Sequence, residues 1–162
     1  MKTQVAVLMG VMTGLIAIGA ASGAARADRA GDDGDGKVAI STTLAPAAIG
    51  PYSQAIRAGK TVYVSGEVGI DPITGQFAGT TIGEQTDQAL KNVAAILAAA
   101  GLTLDNIVTT TVYLLDVNDF AGMNAAYGTH FKYPAPARAT IQVAALPKKG
   151  ALVEISAIAV DP

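Results

Sequence analysis

The sequence predicts an α+β fold in which two helices cover one face of a β-sheet. Runs rich in β-branched residues alternate with two stretches of helical periodicity, in the order strand, strand, helix, strand, helix, strand, strand. Runs such as ISAIAV are apolar on both sides, so both faces of the sheet are expected to be covered. The domain is small for two buried faces, which favours a second subunit over the face that the helices leave open.

Ahead of the domain lies a segment with the pattern of a secretory signal peptide. Lys2 gives a positive start, residues 5–20 are apolar and uncharged, and Ala25 and Ala27 have the A-x-A spacing of a cleavage site. A retained membrane anchor is the alternative, but the run is short for a span of about 20 residues and contains glycines. We therefore expect cleavage after Ala27 and a periplasmic or secreted protein with no stable membrane anchor.

The rest of the chain divides into a linker and one domain. Residues 28–40 begin with the acidic, glycine-rich stretch DRAGDDGDGK and are predicted to be a flexible linker, since the spacing lacks the closing glutamate of a calcium loop. Residues 41–162 have the composition of a globular domain. Removing the first 27 of the 162 residues leaves 135, which is the size of one domain.

Composition excludes several kinds of site. Removal of the signal peptide takes two of the 11 basic residues and none of the 13 acidic ones, so the net charge becomes −4, which does not suit a nucleic acid partner. With no cysteine and one histidine, the chain cannot form disulfides, thiol nucleophiles or histidine-rich metal sites. It has no phosphate-binding loop or nucleotide motif, so we expect neither a cofactor nor a metal.

The first half of the domain predicts a hairpin and a long helix. The runs YSQAIR, 52–57, and TVYVSG, 61–66, are joined by AGK, which suits a hairpin turn. DPITGQ, 71–76, is rich in turn residues. Apolar residues then recur at helical spacing over about residues 81–100, and Gly101 stands where a C-terminal cap belongs.

The second half predicts a strand, a shorter helix and two further strands. NIVTTTVYLLDV, 106–117, is a long β-branched run. Asp119 is expected to cap a second helix that continues to about Phe131. ARATIQVAAL, 137–146, and ALVEISAIAV, 151–160, are predicted strands. The apolar stripe of the second helix is formed by Phe120, Met123, Tyr127 and Phe131.

Arg138 stands at the head of a predicted strand, with no acidic residue nearer in sequence than Glu154 and Asp119. A half-buried arginine normally pairs with a carboxylate. It either forms a structural ion pair, with Glu154 as the candidate, or its two-pronged guanidinium binds the carboxylate of a small ligand. Residue type alone favours the ion pair.

Four further residues are candidates for a site. Glu154 lies in an apolar strand, where it is either an edge residue facing water or a group that orients a water molecule or accepts a proton. Tyr52 follows a rigid glycine–proline bend and is either a core or interface aromatic or a side chain aimed at a site. Ser65 and Gly66 end a strand, and a glycine there lets a ligand approach the backbone closely.

Two residues of the second helix remain open to interpretation. Asn124 is either a surface amide or a donor to a neighbouring loop. His130 is the single histidine, but its place at the helix end suits a favourable interaction with the helix dipole. Nothing pairs His130 with a serine and an acid in a recognisable triad, so we predict a structural role for it.

The motifs, taken in order, resemble the RidA family, also called the YjgF family. The stretches that carry the resemblance are APAAIGPYSQAI, VYVSGEVGIDPITG, the long helix–strand–helix segment from TDQALKN to GTHF, and PARATIQVAALPKKGALVEISAIA. They cover residues 41–160. The resemblance implies a chorismate-mutase-like α+β fold with a mixed sheet, and a homotrimer with clefts between neighbouring subunits. It also implies cofactor-free hydrolysis of 2-imino and 2-enamino acids, such as 2-iminobutanoate and 2-iminopropanoate, to 2-keto acids and ammonia.

The resemblance also assigns expected roles to individual residues. It implies that Arg138, in the PAR motif, binds the substrate carboxylate, and that Glu154 places the attacking water. The other residues that it places in the cleft are Tyr52, Ser65, Gly66, Asn124 and Thr140. This chain departs from the usual family pattern at two of its positions. Glu67 replaces a common glutamine and adds a negative charge, and Thr140, on the strand face of Arg138, stands where some members have cysteine.

Several alternatives remain at this stage. The same trimeric cleft could hold a small carboxylate without catalysing any reaction, or the trimer could act as a chaperone in the periplasm. An endoribonuclease activity is disfavoured by the acidic charge and by the absence of a second histidine. The expected export also raises the question of which imine the protein would meet outside the cytoplasm.

Overall fold

The computed structural model describes residues 36–162. The predicted signal peptide and residues 28–35 of the predicted linker lie outside this range. The strands are β1 (Lys37–Ile40), β2 (Ala55–Ala58), β3 (Thr61–Val68), β4 (Ile107–Leu114), β5 (Ala137–Gln142) and β6 (Val153–Val160), and the helices are α1 (Ile82–Ala99) and α2 (Phe120–Tyr127).

The six strands form one mixed sheet in the order β1-β2-β3-β6-β4-β5. All neighbouring strands are antiparallel except β4 and β5, which are parallel and are connected through α2. Such a parallel pair needs a crossover connection, which α2 supplies. The prediction of an α+β fold with two helices on a mixed sheet is confirmed.

Both helices pack on the same face of the sheet. Helix α1 begins with a capping box, in which Thr81 Oγ1 accepts from the backbone N–H of Glu84 and the Glu84 carboxylate accepts from the N–H of Thr81. The alternating residues Val153, Ile155, Ala157 and Ala159 of β6 are buried under the helices. The residues between them, including Glu154 and Ser156, therefore point to the opposite face.

The structure corrects the predicted beginning of the domain. Residues Lys37–Ile40 were expected in the flexible linker, but they form β1 and pair with β2 from Lys37↔Ala58 to Ile40↔Ala55. The run is only four residues long and mostly exposed, and it follows a glycine-rich stretch. Its hydrophobic signal was therefore too short to distinguish an edge strand from a linker.

The second helix is shorter than predicted. It ends at Tyr127 instead of Phe131, because the backbone N–H groups of Thr129 and His130 bond to carbonyls three residues back, in tight turns that follow Gly128. The Asp119 side chain makes no capping hydrogen bond. Asp116 instead accepts from the N–H of Asn118 in the turn just before the helix.

The strand bounds also differ from those predicted by a few residues, most of all where β5 ends at Gln142 instead of residue 146. The following residues form a loop that returns the chain to β6. None of the helices between residues 36 and 162 is both long and apolar enough to cross a membrane.

Candidate functional site

Arg138 lies on β5, at the edge of the sheet, and its side chain points to the helical face. Its register partner on β4 is the buried Thr110, and two residues further along β5 Thr140 pairs with the buried Val112. Arg138 and Thr140 therefore share a strand face, as the sequence predicted. Helix α2 lies against this edge and supplies the contacts of the guanidinium.

The guanidinium of Arg138 is held in place by four residues of α2. Its Nη2 donates to Oδ1 of Asn124 at 2.6 Å, and Nη1 lies 3.9 Å from the sulfur of Met123. The Tyr127 ring centroid is 4.6 Å from the guanidinium carbon, and that of Phe120 is 5.9 Å away. These distances suit cation–π contacts. We call Arg138, Asn124, Thr140 and Tyr127 the guanidinium cluster.

Tyr127 belongs to the guanidinium cluster, whereas the sequence indicated only that it lies on the apolar stripe of the second helix. Its hydroxyl is 2.8 Å from Oγ1 of the buried Thr110, and its ring packs 4.6 Å from that of Phe131. Burial raises the pKa of Tyr127, although the Thr110 hydrogen bond and the Arg138 charge oppose the rise. The ring is thus a fixed platform under Arg138. Its i, i+3 spacing from Asn124 along α2 was the signal that could have indicated this role.

The hypothesis of an ion pair between Arg138 and Glu154 is wrong. The two side chains lie on opposite faces of the sheet, because the neighbours of Glu154 on β6 are buried under the helices whereas Arg138 itself contacts α2. Between residues 36 and 162 no carboxylate oxygen lies within 4 Å of the Arg138 guanidinium. A partly buried cation is thus held in a fixed orientation by neutral groups only, and its remaining donors can bind an anion.

Glu154 lines a cavity of about 230 Å³ on the face away from the helices. Tyr113 pairs with it across the sheet, and Ser156 follows two residues along β6, so both share its face. Burial raises the pKa of Glu154. The sequence did not single out Tyr113 and did not assign Ser156 to a site. The alternation of side chains along β4 and β6 was the signal that could have placed both on the face of Glu154. The other residues around the cavity are Gly66, Val143, Ala145, Leu146 and Pro147.

Gly66 lies directly beneath the Glu154 side chain. A Cβ added to Gly66 would overlap the Glu154 carboxyl group. Strand β3 has a bulge between Val64 and Glu67, where two residues of β3, Ser65 and Gly66, lie opposite the single residue Ser156 of β6. The glycine therefore gives the Glu154 carboxylate room to lie close to the backbone, in the place where the sequence suggested the approach of a ligand. We call Glu154, Gly66, Tyr113 and Ser156, which line the cavity together, the carboxylate cluster.

Ser65 and Tyr52 are linked through the loop before β2. Ser65 Oγ donates to the carbonyl of Ser53 at 2.7 Å, and the Tyr52 hydroxyl accepts from the N–H of Ile49 at 3.3 Å. The buried Gln54 fastens the same loop with bonds to the backbone of Thr42, Ala45 and Pro46. Tyr52 is half exposed, so its ring is available for contact with a ligand or another subunit.

Most of the predicted site residues therefore fall into two clusters on opposite faces of one sheet. Arg138, Asn124 and Thr140 are on the helical face, and Glu154 and Gly66 are on the other. The two residues expected to be catalytic are not brought together within one chain.

Comparison with known proteins identifies the family. The family described as Endoribonuclease L-PSP matches residues 42–161, nearly the whole of the described chain. The chain belongs to the RidA family. The family that the sequence motifs indicated is thereby confirmed.

Individual RidA-family relatives agree with this assignment. The chain is 56% identical over 122 residues to a mouse protein named 2-iminobutanoate/2-iminopropanoate deaminase, an alignment that covers 75% of this chain and 90% of the relative. The crystal structure of RidA from an Antarctic Psychrobacter species is similar with a TM-score of 0.73 and 44% identity, covering 76% of this chain and 99% of that one. The structure of E. coli TdcF with bound serine gives 0.72 and 41%, covering 77% and 99%.

Glu67, the charged departure from the usual RidA-family pattern, is buried. It is 6% exposed and pairs with Ile155, whose side chain is fully buried under the helices. No basic nitrogen within residues 36–162 lies within 4 Å of its carboxyl group. Burial, followed by repulsion from Glu154, raises the pKa of Glu67 to about 8. At neutral pH this residue is therefore mostly a neutral acid and adds little charge.

The raised pKa predicts that Glu67→Gln stabilises the protein increasingly as pH rises. Between pH 4.5 and 8 the folded state holds a proton that the unfolded state has lost, so the wild-type loses stability over this window and glutamine does not. The free energy of unfolding of Glu67→Gln, measured relative to the wild-type, is expected to be higher at pH 9 than at pH 4 by an amount on the order of 4 kcal/mol. Urea unfolding across this range measures it. Glu84→Gln is the matched control and must show no gain, because the pKa of the exposed Glu84 is lowered by its hydrogen bonds to Thr81.

His130 has a structural setting in this RidA-family chain. Its Nε2 is 2.8 Å from Oδ1 of Asp87, whose other oxygen pairs with Lys91. The hydrogen bond to Lys91, with a smaller part from His130, lowers the pKa of Asp87. The pair ties the turn after α2 to α1 and lies in neither cluster. In the described part of the chain no three histidine or acidic residues come together in a way that could hold a metal ion.

Proposed function

We propose that the protein is a 2-iminobutanoate/2-iminopropanoate deaminase that hydrolyses 2-imino and 2-enamino acids to 2-keto acids and ammonia. The observation that supports this most directly is Arg138, a guanidinium fixed by Asn124 and Tyr127 with no carboxylate partner among residues 36–162. The printed names of relatives, including the mouse protein, support the same reaction.

The proposed assembly is a homotrimer with an active site in each of three clefts between neighbouring subunits. The guanidinium cluster of one subunit would face the carboxylate cluster of the next. This arrangement explains why the two clusters lie on opposite faces of one sheet. It also covers the sheet face on which neither helix packs, where the half-exposed Tyr63 and its register partner Ile158 lie.

In the proposed mechanism Arg138 binds the substrate carboxylate through charge-assisted hydrogen bonds and Asn124 fixes the orientation of the guanidinium. An enamine first gains a proton at carbon to become an iminium ion. Water held by Glu154 then adds to the iminium carbon while the carboxylate takes a proton from it. After that proton reaches the nitrogen, the C–N bond breaks and its electron pair leaves with ammonia, while the Glu154 carboxylate takes the hydroxyl proton and the C=O bond of the keto acid forms.

The raised pKa of Glu154 suits the transfer of a proton from water to its carboxylate, because a carboxylate that is easier to protonate is a better proton acceptor. Positioning and the positive charge of Arg138 provide the rest of the rate enhancement. No step needs a cofactor. Thr140, on the strand face of Arg138, is proposed to contribute a hydroxyl to the cleft.

The test of this function is release of 2-keto acid and ammonia from 2-iminopropanoate generated in the cuvette by an amino-acid oxidase. The protein is expected to accelerate hydrolysis well above the uncatalysed rate. A folded protein that leaves the rate at background would contradict the proposal. The alternative, a non-catalytic protein that binds small carboxylates, would then be favoured by the same Arg138 geometry and would show ligand-dependent thermal shifts. A chaperone activity without carboxylate binding would instead suppress aggregation of a client protein.

The position of Gly66 gives a second test. In Gly66→Ala the new Cβ would occupy the place of the Glu154 carboxyl group, which can swing away at little cost to the fold because it is the end of a flexible side chain. We expect kcat to fall by about tenfold or more with circular dichroism unchanged. Gly36→Ala is the control, since a Cβ there meets nothing within 4 Å. Full activity of Gly66→Ala would argue against a role for Glu154.

We also propose that the protein is exported to the periplasm or secreted, with the chain cut after Ala27. The support is the signal-like sequence of residues 1–27. Mass spectrometry of the protein purified from its native cells would give a chain that begins at Asp28. A full-length chain in the membrane fraction would favour the anchor instead.

A further inference from the structure

The loop between β5 and β6, residues 143–152, forms one wall of the cavity around Glu154. The residues of this loop that line the cavity are all apolar: Val143, Ala145, Leu146 and Pro147. Burial is also what raises the pKa of Glu154. The loop therefore helps to exclude water from the carboxyl group, and its position affects how readily Glu154 takes up a proton.

The loop is hydrogen-bonded to the sheet near its two ends. At its start the N–H of Val143 donates to the carbonyl of Leu114, and at its end the carbonyl of Leu152 accepts from the N–H of Leu115. Within the part of the chain that the structure describes, residues 144–149 make no hydrogen bond to any other segment. The apolar wall therefore depends on how firmly the two ends of the loop are held.

Among residues 36–162, Gln85 of α1 is the one side chain that is hydrogen-bonded to this loop. Its Nε2 donates to the carbonyl of Gly150 at 3.1 Å, and its Oε1 accepts from the N–H of Leu152 at 2.9 Å. The other Nε2 hydrogen is directed at the carbonyl of Gly79, 3.3 Å away. Gln85 is 2% exposed, so removal of its amide would leave buried backbone groups unpaired.

The backbone of Gln85 is itself fixed on both sides. The capping box formed by Thr81 and Glu84 stands immediately before it in α1. Gly69 follows β3, and a Cβ added there would come within 2.5 Å of the Gln85 Cα. The glycine thus allows the helix to lie directly against the chain after β3. A fixed helix end therefore holds Leu152, which lies two residues before the glutamate of the cavity.

We propose that Gln85 is a positioning residue of the active site, whose buried amide holds the loop of residues 143–152 over Glu154 from the opposite face of the sheet. The inference rests on the proposed function, because it takes Glu154 to be the group that places the water. The uncharged neighbours of Glu154 on the two flanking strands do not depend on this loop. Strand β4 contributes the hydroxyl of Tyr113, and Glu67 of β3, on the helical face, has a pKa raised to about 8 and is mostly neutral below that pH.

The cations near Glu154 make the direction of the effect informative. Lys148 and Lys149 are exposed on the loop, and Arg138 of a neighbouring subunit faces the cavity in the proposed trimer. Displacement of any of these cations would raise the pKa of Glu154. Admission of water to the carboxyl group would lower it. A fall in the pKa therefore reports the water that the loop excludes.

The experiment compares the pKa of Glu154 in the wild-type, Gln85→Met and Gln85→Asn by carbon-13 NMR of labelled glutamate carboxyl groups. The chain has only three glutamates, and the Glu154 signal is assigned by its absence in Glu154→Gln. Gln85→Met removes the hydrogen bonds at nearly constant volume. Gln85→Asn keeps an amide that is one methylene too short, and it is the milder change if Gln85→Met does not fold. In both variants the pKa of Glu154 is expected to fall toward its ordinary value, and kcat/KM with 2-iminopropanoate is expected to fall by about tenfold or more.

Arg57→Met is the control for general loosening of the fold. The Arg57 guanidinium also ties α1 to the sheet through a buried-side backbone carbonyl, that of Ala100, but at the other end of the helix. This variant is expected to lower the midpoint of thermal unfolding and to leave the Glu154 pKa and kcat/KM as in the wild-type. In the wild-type itself the Leu152 amide must be protected from hydrogen exchange.

Four results would overturn the inference: an unchanged Glu154 pKa in a folded Gln85 variant, an equal fall in Arg57→Met, full activity of a Gln85 variant whose Glu154 pKa has fallen, or rapid exchange of the Leu152 amide in the wild-type. Failure of the proposed function gives a different pattern. Turnover by the wild-type with an unchanged Glu154 pKa in the variants removes the inference alone. A fall in that pKa without turnover by any of the proteins removes the deaminase activity and keeps the hold of Gln85 on the loop.

Discussion

Arg138→Ala is expected to abolish most deaminase activity while leaving the fold intact. Removing one partner of a charge-assisted pair with a carboxylate typically costs about 3 kcal/mol, which corresponds to about a hundredfold loss in kcat/KM. The side chain lies on an edge strand and makes one side-chain hydrogen bond to oxygen, to Asn124, so the fold does not depend on it. Steady-state kinetics with 2-iminopropanoate measure the loss.

The matched variant is Arg138→Lys, which keeps the charge but replaces the planar fork by a point charge. It is expected to lose the hydrogen bond to Asn124 in its present geometry and the flat contact with Tyr127, and so to be intermediate between Ala and the wild-type. Circular dichroism and the oligomeric state serve as controls for all three proteins. Wild-type kcat/KM in a folded Arg138→Ala would remove this residue from the proposed site.

Mixing two inactive variants is expected to restore activity. Arg138 and Glu154 lie on opposite faces of one sheet, so the proposed cleft takes each from a different subunit. In a mixed trimer of Arg138→Ala and Glu154→Gln subunits, one of the three clefts combines the intact arginine of one subunit with the intact glutamate of its neighbour. Random equal mixing makes about three quarters of the trimers mixed, so about a quarter of all clefts become active.

The measurement is kcat per subunit after the two variants are unfolded together and refolded as a mixture. The control mixes each variant with itself and must stay inactive. Recovery toward a quarter of the wild-type rate supports a shared cleft. Activity that remains at the sum of the two separate variants, in a protein shown by light scattering to be a trimer containing both chains, would contradict the shared cleft and the assignment of its two halves.

The regular elements of the fold could be predicted from the sequence because their signals are local. The periodicity of α1, the period of two along β6 and the turn residues between β2 and β3 depend on neighbouring residues only. The errors fell where the signal was short or where tertiary packing decided the outcome. Strand β1 has only four residues, and its pairing with β2 identifies it as a strand. Helix α2 ends at Tyr127, where the chain turns so that His130 contacts Asp87.

The candidate site was predictable residue by residue but not as an arrangement. Arg138, Glu154, Tyr52 and Gly66 stood out because each is unusual in its local context. Which face a residue on β5 or β6 occupies depends on the pairing of the strands and on the position of the helices, and neither is encoded within a short segment. For the same reason Tyr113 and Tyr127, which have ordinary local contexts, were not recognised as parts of the two clusters.

The sequence by itself determined the α+β class, the order of most of its elements, the family and the identity of the residues with unusual chemistry. Only the tertiary structure decided that Arg138 and Glu154 lie on opposite faces, that Arg138 is held by α2 without an acidic partner among residues 36–162, and that Glu67 is buried under the helices. The physical reason is that periodicity and residue type act between near neighbours, whereas burial and the distance between charges are set by contacts between segments far apart in the chain.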